Sequence, residues 1–150
     1  MKQMLARIRE GSRSREPAII LGNADVARLR AVVEWHLSGR DREAAERLEA
    51  ELDRAIVVPQ REVPPEIVTM DSRVVFEDAE TGRRREITLC YPREADPARG
   101  RISILAPVAA ALLGLRAGDS IEWPMPDCRK ATLRIASVVY QPEAAGDVPS

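Results

Sequence analysis

The chain has 150 residues and a formal net charge of −1, with 45% hydrophobic and 31% charged residues. This composition is typical of one soluble globular domain, with or without an appendage, and it disfavours a disordered chain or a two-domain catalytic machine. Five aromatic residues are too few for an RNA-stacking sheet, and only residues 1–16 are markedly basic, so direct sequence-specific nucleic-acid binding is not expected.

Residues 1–16 carry five basic and two acidic side chains around Gly11 and are predicted to form a flexible basic tail. No apolar stretch approaches the ~20 residues of a membrane span, and the N-terminus lacks a signal-peptide core, so we expect a cytoplasmic protein without a membrane partner. Cys90 and Cys128 form no Cys-x-x-Cys motif, and His36 is the one histidine. We therefore expect no metal site and no cofactor, and we interpret Cys90 as a small buried hydrophobic residue.

Residues 17–57 are predicted to form a short antiparallel helical hairpin, resembling a coiled coil. Asn23 is a plausible N-cap for a first helix over 24–37, and a second helix is predicted from Asp41 to about Ile56. At about 14 residues each, these helices would be roughly 20 Å long. The apolar positions that share one face are Val26, Leu29 and Val33 in the first helix and Ala45, Leu48, Leu52 and Ala55 in the second. Glu43/Arg47 and Arg47/Glu51 are candidate ion pairs on the outer face.

Residues 58–150 are predicted to form a separate domain, because three prolines at 59, 64 and 65 end the helical pattern. Strands are expected over 67–77, with an irregularity at Met70-Asp71-Ser72, and over 86–91, 101–105, 120–123 and 131–141, and a short helix is expected over 107–113. The fold class is therefore α+β, with a bent antiparallel sheet closed by one short helix. Residues 142–150 are predicted to be a tail.

Four segments carry a resemblance to a known family. Residues 102–121, ISILAPVAAALLGLRAGDSI, resemble the C-terminal domain of the Gre-type transcript-cleavage factors of bacterial RNA polymerase. Three further segments, VTMDSRV (68–74), ELDRA (51–55) and YQPEAAGD (140–147), look more like the Rnk-type relatives of Gre factors, which have a shortened hairpin. The resemblance covers about residues 17–147.

This resemblance implies a fold like that of FK506-binding proteins for the C-terminal domain. It also implies a partner, since Gre C-terminal domains grip the rim of the polymerase secondary channel while the hairpin points into the channel. The loop that enters the short helix belongs to the gripping face, and here it consists of Leu105, Ala106 and Pro107. Gre factors carry Asp-Ser-Pro or Ser-Ser-Pro at these positions.

The hairpin tip decides between two functional expectations. In Gre factors, acidic tip residues hold a second Mg²⁺ at the polymerase active centre, as suits a hard cation in a two-metal reaction. The tip here is Arg40, Asp41, Arg42 and Glu43, in which each carboxylate has an arginine neighbour. Asp41 is better explained as a helix cap than as a metal ligand, and Glu43 as the ion-pair partner of Arg47.

The resemblance implies that each helix of a Gre hairpin has about twice as many residues as each helix here. The tip of this shorter hairpin should therefore stop short of the Mg²⁺ at the polymerase active centre. We therefore expect a non-enzymatic regulator that competes with Gre factors without stimulating transcript cleavage. A cleavage factor that uses Asp41 and Glu43 is the alternative. A peptidyl-prolyl isomerase-like binding module is less favoured, because such pockets are lined by aromatic side chains.

Overall fold

The structure is a computed structural model, and it describes residues 17–124 and 130–147. The predicted basic tail at 1–16 lies outside the described residues. The helices are α1 (Asn23–His36), α2 (Arg42–Arg54), α3 (Pro107–Leu112) and α4 (Pro142–Ala145). The strands are β1 (Ile20–Gly22), β2 (Ile56–Val58), β3 (Arg73–Asp78), β4 (Arg84–Cys90), β5 (Arg101–Ser103), β6 (Ser120–Pro124) and β7 (Lys130–Tyr140). Short 3-10 turns lie at Gln60–Glu62, Pro92–Glu94 and Pro97–Arg99.

Helices α1 and α2 are joined by residues 37–41 and pack against each other through an apolar seam. The buried side chains of this seam are Leu29, Val33, Ala45, Leu48 and Leu52. On the outside, Arg30 and Asp53 link the two helices by an ion pair of 2.9 Å. The helical ion pairs that form are Arg42 with Glu46 and Arg54 with Glu51, in place of the predicted pairs of Arg47.

The N-cap prediction for Asn23 is wrong. Gly22 occupies the cap position, α1 has no side-chain cap, and the Asn23 carboxamide oxygen accepts a hydrogen bond from Gln60 N at 2.9 Å. The side chain of Gln60 fills the space beside Gly22 where a Cβ would lie. A glycine at the start of α1 therefore lets the connection after the hairpin pack directly on the helix.

Strand β2 differs from the prediction, which places residues 56–58 at the end of the second helix and in the linker. The run Ile-Val-Val is β-branched and lies next to Pro59, which favours extended backbone over helix. It pairs in parallel with β1, with Ile20 opposite Ile56 and Gly22 opposite Val58. The two ends of the hairpin are thus held together by backbone hydrogen bonds.

The larger sheet has the strand order β5-β4-β3-β7-β6 and is mixed, not wholly antiparallel as predicted. Strand β5 runs parallel to β4, with Thr88 opposite Arg101. Residues 91–100 contain two 3-10 turns and a left-handed Gly100, and they carry the chain back along β4 before β5 begins. The irregularity expected at Met70-Asp71-Ser72 is present, since Asp71 has a φ of +67°, and β3 begins only at Arg73.

One apolar cluster extends from the hairpin to the sheet. It includes Leu29 and Leu52 of the helices together with Val74, Leu89 and Ile135 of the sheet. The Ile20 amide donates to the Gly114 carbonyl at 3.0 Å, which ties β1 to the end of α3.

Cys90 is fully buried, which confirms its interpretation as a core residue. The division of the chain at 57/58 stays a prediction.

Candidate functional site

The hairpin tip presents a mixed set of charges to solvent. Arg40, Arg42 and Glu43 are exposed, Asp41 is half-buried, and Arg42 is paired with Glu46 at 3.0 Å. Asp41 holds the cap position of α2, but its side chain makes no cap hydrogen bond, and its backbone carbonyl accepts from Ala45 N. Along the chain, Asp41 and Glu43 alternate with Arg40 and Arg42 and do not form an uninterrupted acidic run.

Two further side chains define the region just before the tip. Trp35 is 81% exposed, although it is one of the largest apolar residues in the chain. It lies two residues after buried Val33, which places it on the opposite face of the helix. His36 is half-buried, and its Nδ1 lies 2.9 Å from the Val32 carbonyl oxygen.

The loop that enters α3 leaves one of its three predicted contact residues exposed. Pro107 is exposed, Ala106 is half-buried, and Leu105 is only 9% exposed and belongs to the apolar cluster. Sequence reasoning missed Ser103, whose hydroxyl accepts from Leu105 N at 3.0 Å and whose carbonyl accepts from Ala106 N at 2.8 Å. Ser103 therefore supplies a polar group to a loop whose own side chains are apolar.

A second group of residues is buried where the hairpin meets the sheet. This junction cluster consists of Asp25, Gln60, Thr69, Ser72 and Glu143. The first four are at most 8% exposed, and Glu143 is half-buried. They come from the first turn of α1, from residues 59–72 and from α4, and hydrogen bonds connect them.

Asp25 is a buried carboxyl of this cluster. Its Oδ2 accepts from Met70 N at 3.2 Å, and its backbone N–H donates to Gln60 Oε1 at 2.9 Å. Burial raises the pKa of Asp25 to about 6, the Met70 N–H opposes this rise, and the negative charge of Glu143 adds to it. Asp25 precedes Leu29 and Val33 at four-residue spacing, a sequence signal that places it on the buried face.

Tyr91 and Asp71 lie beside this cluster. The Tyr91 hydroxyl is buried, and burial followed by the charge of Asp25 raises its pKa above the ordinary value. Burial and then Glu94 raise the pKa of Asp71, while Arg101 acts in the opposite direction.

Within residues 17–124 and 130–147, no group of three or more His, Cys, Asp or Glu side chains is arranged to hold a metal ion. No described helix is both long and apolar enough to cross a membrane.

Two family models match successive segments of the chain. Residues 17–58 match the family model described as "Rnk N-terminus", and residues 63–140 match "Transcription elongation factor, GreA/GreB, C-term". The chain is 42% identical over 131 residues to "Regulator of nucleoside diphosphate kinase" of Escherichia coli K12, covering 87% of this chain and 96% of that protein. The chain belongs to the Rnk family of Gre-type proteins.

Two other relatives show how far the similarity extends. A solved structure titled "Prokaryotic transcription elongation factor GreA/GreB from Nitrosomonas europaea" is 44% identical, with a TM-score of 0.66, and the match covers 83% of this chain and 99% of that one. "Transcription elongation factor GreA" of Clostridium beijerinckii is 39% identical over 80 residues, which is half of its length. The α+β fold of this Rnk-family chain is thus similar to the GreA/GreB C-terminal fold.

Proposed function

We propose that this Rnk-family protein is a cytoplasmic transcription regulator that binds bacterial RNA polymerase at the rim of the secondary channel. The C-terminal domain, with its FK506-binding-protein-like sheet and short helix, makes the contact, and the hairpin points into the channel. The protein competes with Gre factors for this position and does not stimulate transcript cleavage. Family membership supports a regulator of the transcription machinery, and the docking mode is the one that the Gre resemblance implies.

The length of the hairpin supports the proposal that the protein does not stimulate transcript cleavage. Helices α1 and α2 contain 14 and 13 residues. At a rise of 1.5 Å per residue each is about 20 Å long, whereas the Gre resemblance implies helices of about twice as many residues. A tip that enters by the same route therefore stops short of the polymerase metal.

The charges at the tip point in the same direction. A second Mg²⁺ requires carboxylate oxygens that are free to enter its coordination shell. Asp41 and Glu43 are accompanied by Arg40 and Arg42, and guanidinium groups repel a cation at close range. A blocking role needs no metal ligand, so this tip suits a competitor better than a cleavage factor.

The proposed binding to polymerase is tested by placing a charge in the loop that enters α3, in the full-length protein. Pro107→Arg adds a cation at the exposed start of α3, and we expect it to weaken binding to core polymerase and displacement of a labelled Gre factor. Leu105→Asp is unsuitable, because a carboxylate at a 9% exposed position would destabilise the core. Fluorescence anisotropy of the labelled Gre factor gives the affinity of each variant.

Ala79→Arg is the matched control for this experiment. Ala79 is exposed in the turn between β3 and β4, at the end of β4 opposite to Cys90 and Ser103. It adds the same charge as Pro107→Arg, and we expect it to leave displacement unchanged. Equal displacement by wild type and both variants would locate the contact elsewhere.

A further inference from the structure

The C-terminal segment after β7 is folded onto the connection between the hairpin and the sheet. Gln141 Oε1 accepts from Ala144 N at 3.0 Å and so caps α4. The Nε2 of the same side chain donates to the carbonyls of Pro64 and Ile67, at 2.7 and 2.8 Å. Gln141 is buried, so these bonds fix α4 in place on residues 64–67.

Glu143 extends from this anchored helix and bridges two parts of the molecule. Its Oε2 accepts from Gln60 Nε2 at 2.6 Å, and its Oε1 accepts from Thr69 Oγ1 at 2.7 Å. The two donors are nine positions apart in the chain, and the residues between them include the prolines at 64 and 65. One carboxylate thus connects the beginning and the end of that connection.

Each donor is itself bound to a different structural unit. On the hairpin side, Gln60 Oε1 accepts from Asp25 N, and Gln60 N donates to Asn23 Oδ1, so this residue contacts the first turn of α1 twice. On the sheet side, Thr69 is hydrogen-bonded to the Ser72 hydroxyl, directly before β3. One path of side-chain hydrogen bonds from α1 to β3 therefore passes through Glu143, and it runs beside the direct bond from Met70 N to Asp25 Oδ2.

We propose that Glu143 is a positioning residue that sets the angle between the hairpin and the sheet. The apolar contacts that also join these units are non-directional, whereas hydrogen bonds define an orientation, and those of half-buried Glu143 are shorter than the bonds from Met70 N to Asp25 and from Ile20 N to Gly114. Residues 142–147, whose role the sequence did not reveal, thus act as a strap. The strap itself is independent of any partner, and its importance for entry into the polymerase channel rests on the proposed function.

The angle can be measured in the full-length protein by a distance between two spin labels. Ser38→Cys places one label at the hairpin tip and Ala79→Cys places the other in the β3–β4 turn, in a Cys128→Ser background with buried Cys90 retained. Pulsed electron paramagnetic resonance should give one narrow distance distribution for the otherwise unchanged protein. In Glu143→Ala the distribution should broaden and its mean should shift, because the hairpin loses its link to Thr69.

Two further variants separate positioning from general loosening of the fold. Glu143→Gln keeps the shape and one acceptor oxygen, so it should restore most of the narrow distribution. Glu62→Ala removes a glutamate from the same connection whose side chain is exposed, and it should change nothing. Circular dichroism confirms that each variant is folded. An unchanged distribution in folded Glu143→Ala, or equal broadening in Glu62→Ala, would overturn the proposal.

Discussion

Asp25 places a carboxylate on the same helix face as Leu29 and Val33, where it is only 7% exposed. Its hydrogen bond from Met70 N does not offset the loss of hydration, and burial is the largest influence on its pKa, which rises from 3.8 to about 6. The folded protein therefore holds a proton on Asp25 under conditions where the unfolded chain has released it. Ionised Asp25 is tolerated near neutral pH at a cost in stability.

The free-energy cost of ionising buried Asp25 should make the stability of the protein depend on pH. Between about pH 4 and pH 6 the folded state binds more protons than the unfolded chain, so the Asp25 contribution makes the free energy of unfolding fall as pH rises. Asp25→Asn retains an acceptor for Met70 N without the charge, and it should stabilise the protein by up to about 3 kcal/mol at pH 7.5. At pH 4.5 the gain should be much smaller. Urea unfolding at both pH values measures the difference.

Asp53→Asn is the control for this substitution. Asp53 is exposed and pairs with exposed Arg30, so its replacement should cost between roughly 0 and 1 kcal/mol, with little change between the two pH values. An Asp25→Asn variant no more stable than wild type at pH 7.5 would contradict the assignment of an ionised, poorly compensated carboxylate at this position.

At the scale of the elements, β1 is held against the sheet by the turn that ends α3. Gly114 has a φ of +82°, its carbonyl accepts from Ile20 N, and its amide donates to the Val68 carbonyl. A Cβ at this position would lie 2.7 Å from the Cβ of Ile19. Glycine is therefore required here for close approach as well as for its backbone conformation.

A pair of glycine substitutions separates these two requirements. Gly118 has a φ of +97°, but a Cβ there would meet no described atom within 4 Å. Gly118→Ala should cost about 1–2 kcal/mol of unfolding free energy from backbone strain alone. Gly114→Ala should cost a further 1–3 kcal/mol or so, because β1 must move. Chemical denaturation compares the two, and equal losses would show that β1 does not pack closely on this turn.

At the scale of the whole molecule, local patterns predicted most of the elements. The seam of Leu29, Val33, Leu48 and Leu52 follows from helical spacing, and most strands of the sheet follow from short apolar runs between turn residues. The parallel pairings of β1 with β2 and of β4 with β5 could not be predicted from local patterns. The partner of a strand depends on the path of the segment that connects the two strands.

Apart from Asp25, whose spacing from Leu29 and Val33 signals a buried face, the junction cluster could not be predicted from the sequence, for a related reason. Gln60 and Glu143 are 83 positions apart, and nothing local distinguishes them from surface residues. Their burial depends on the packing of α4 against the connection. In the predicted contact loop, only the structure separates exposed Pro107 from buried Leu105.

The central claim is that the protein competes with Gre factors without acting as one. Cleavage at the RNA 3′ end of a backtracked elongation complex tests it most directly, with the protein added alone or together with a Gre factor. Alone, the protein should not accelerate cleavage, and in the mixture it should slow Gre-dependent cleavage as its concentration rises. Asp41→Asn should inhibit as wild type does. Mg²⁺-dependent acceleration by the protein alone, abolished by Asp41→Asn, would contradict the account.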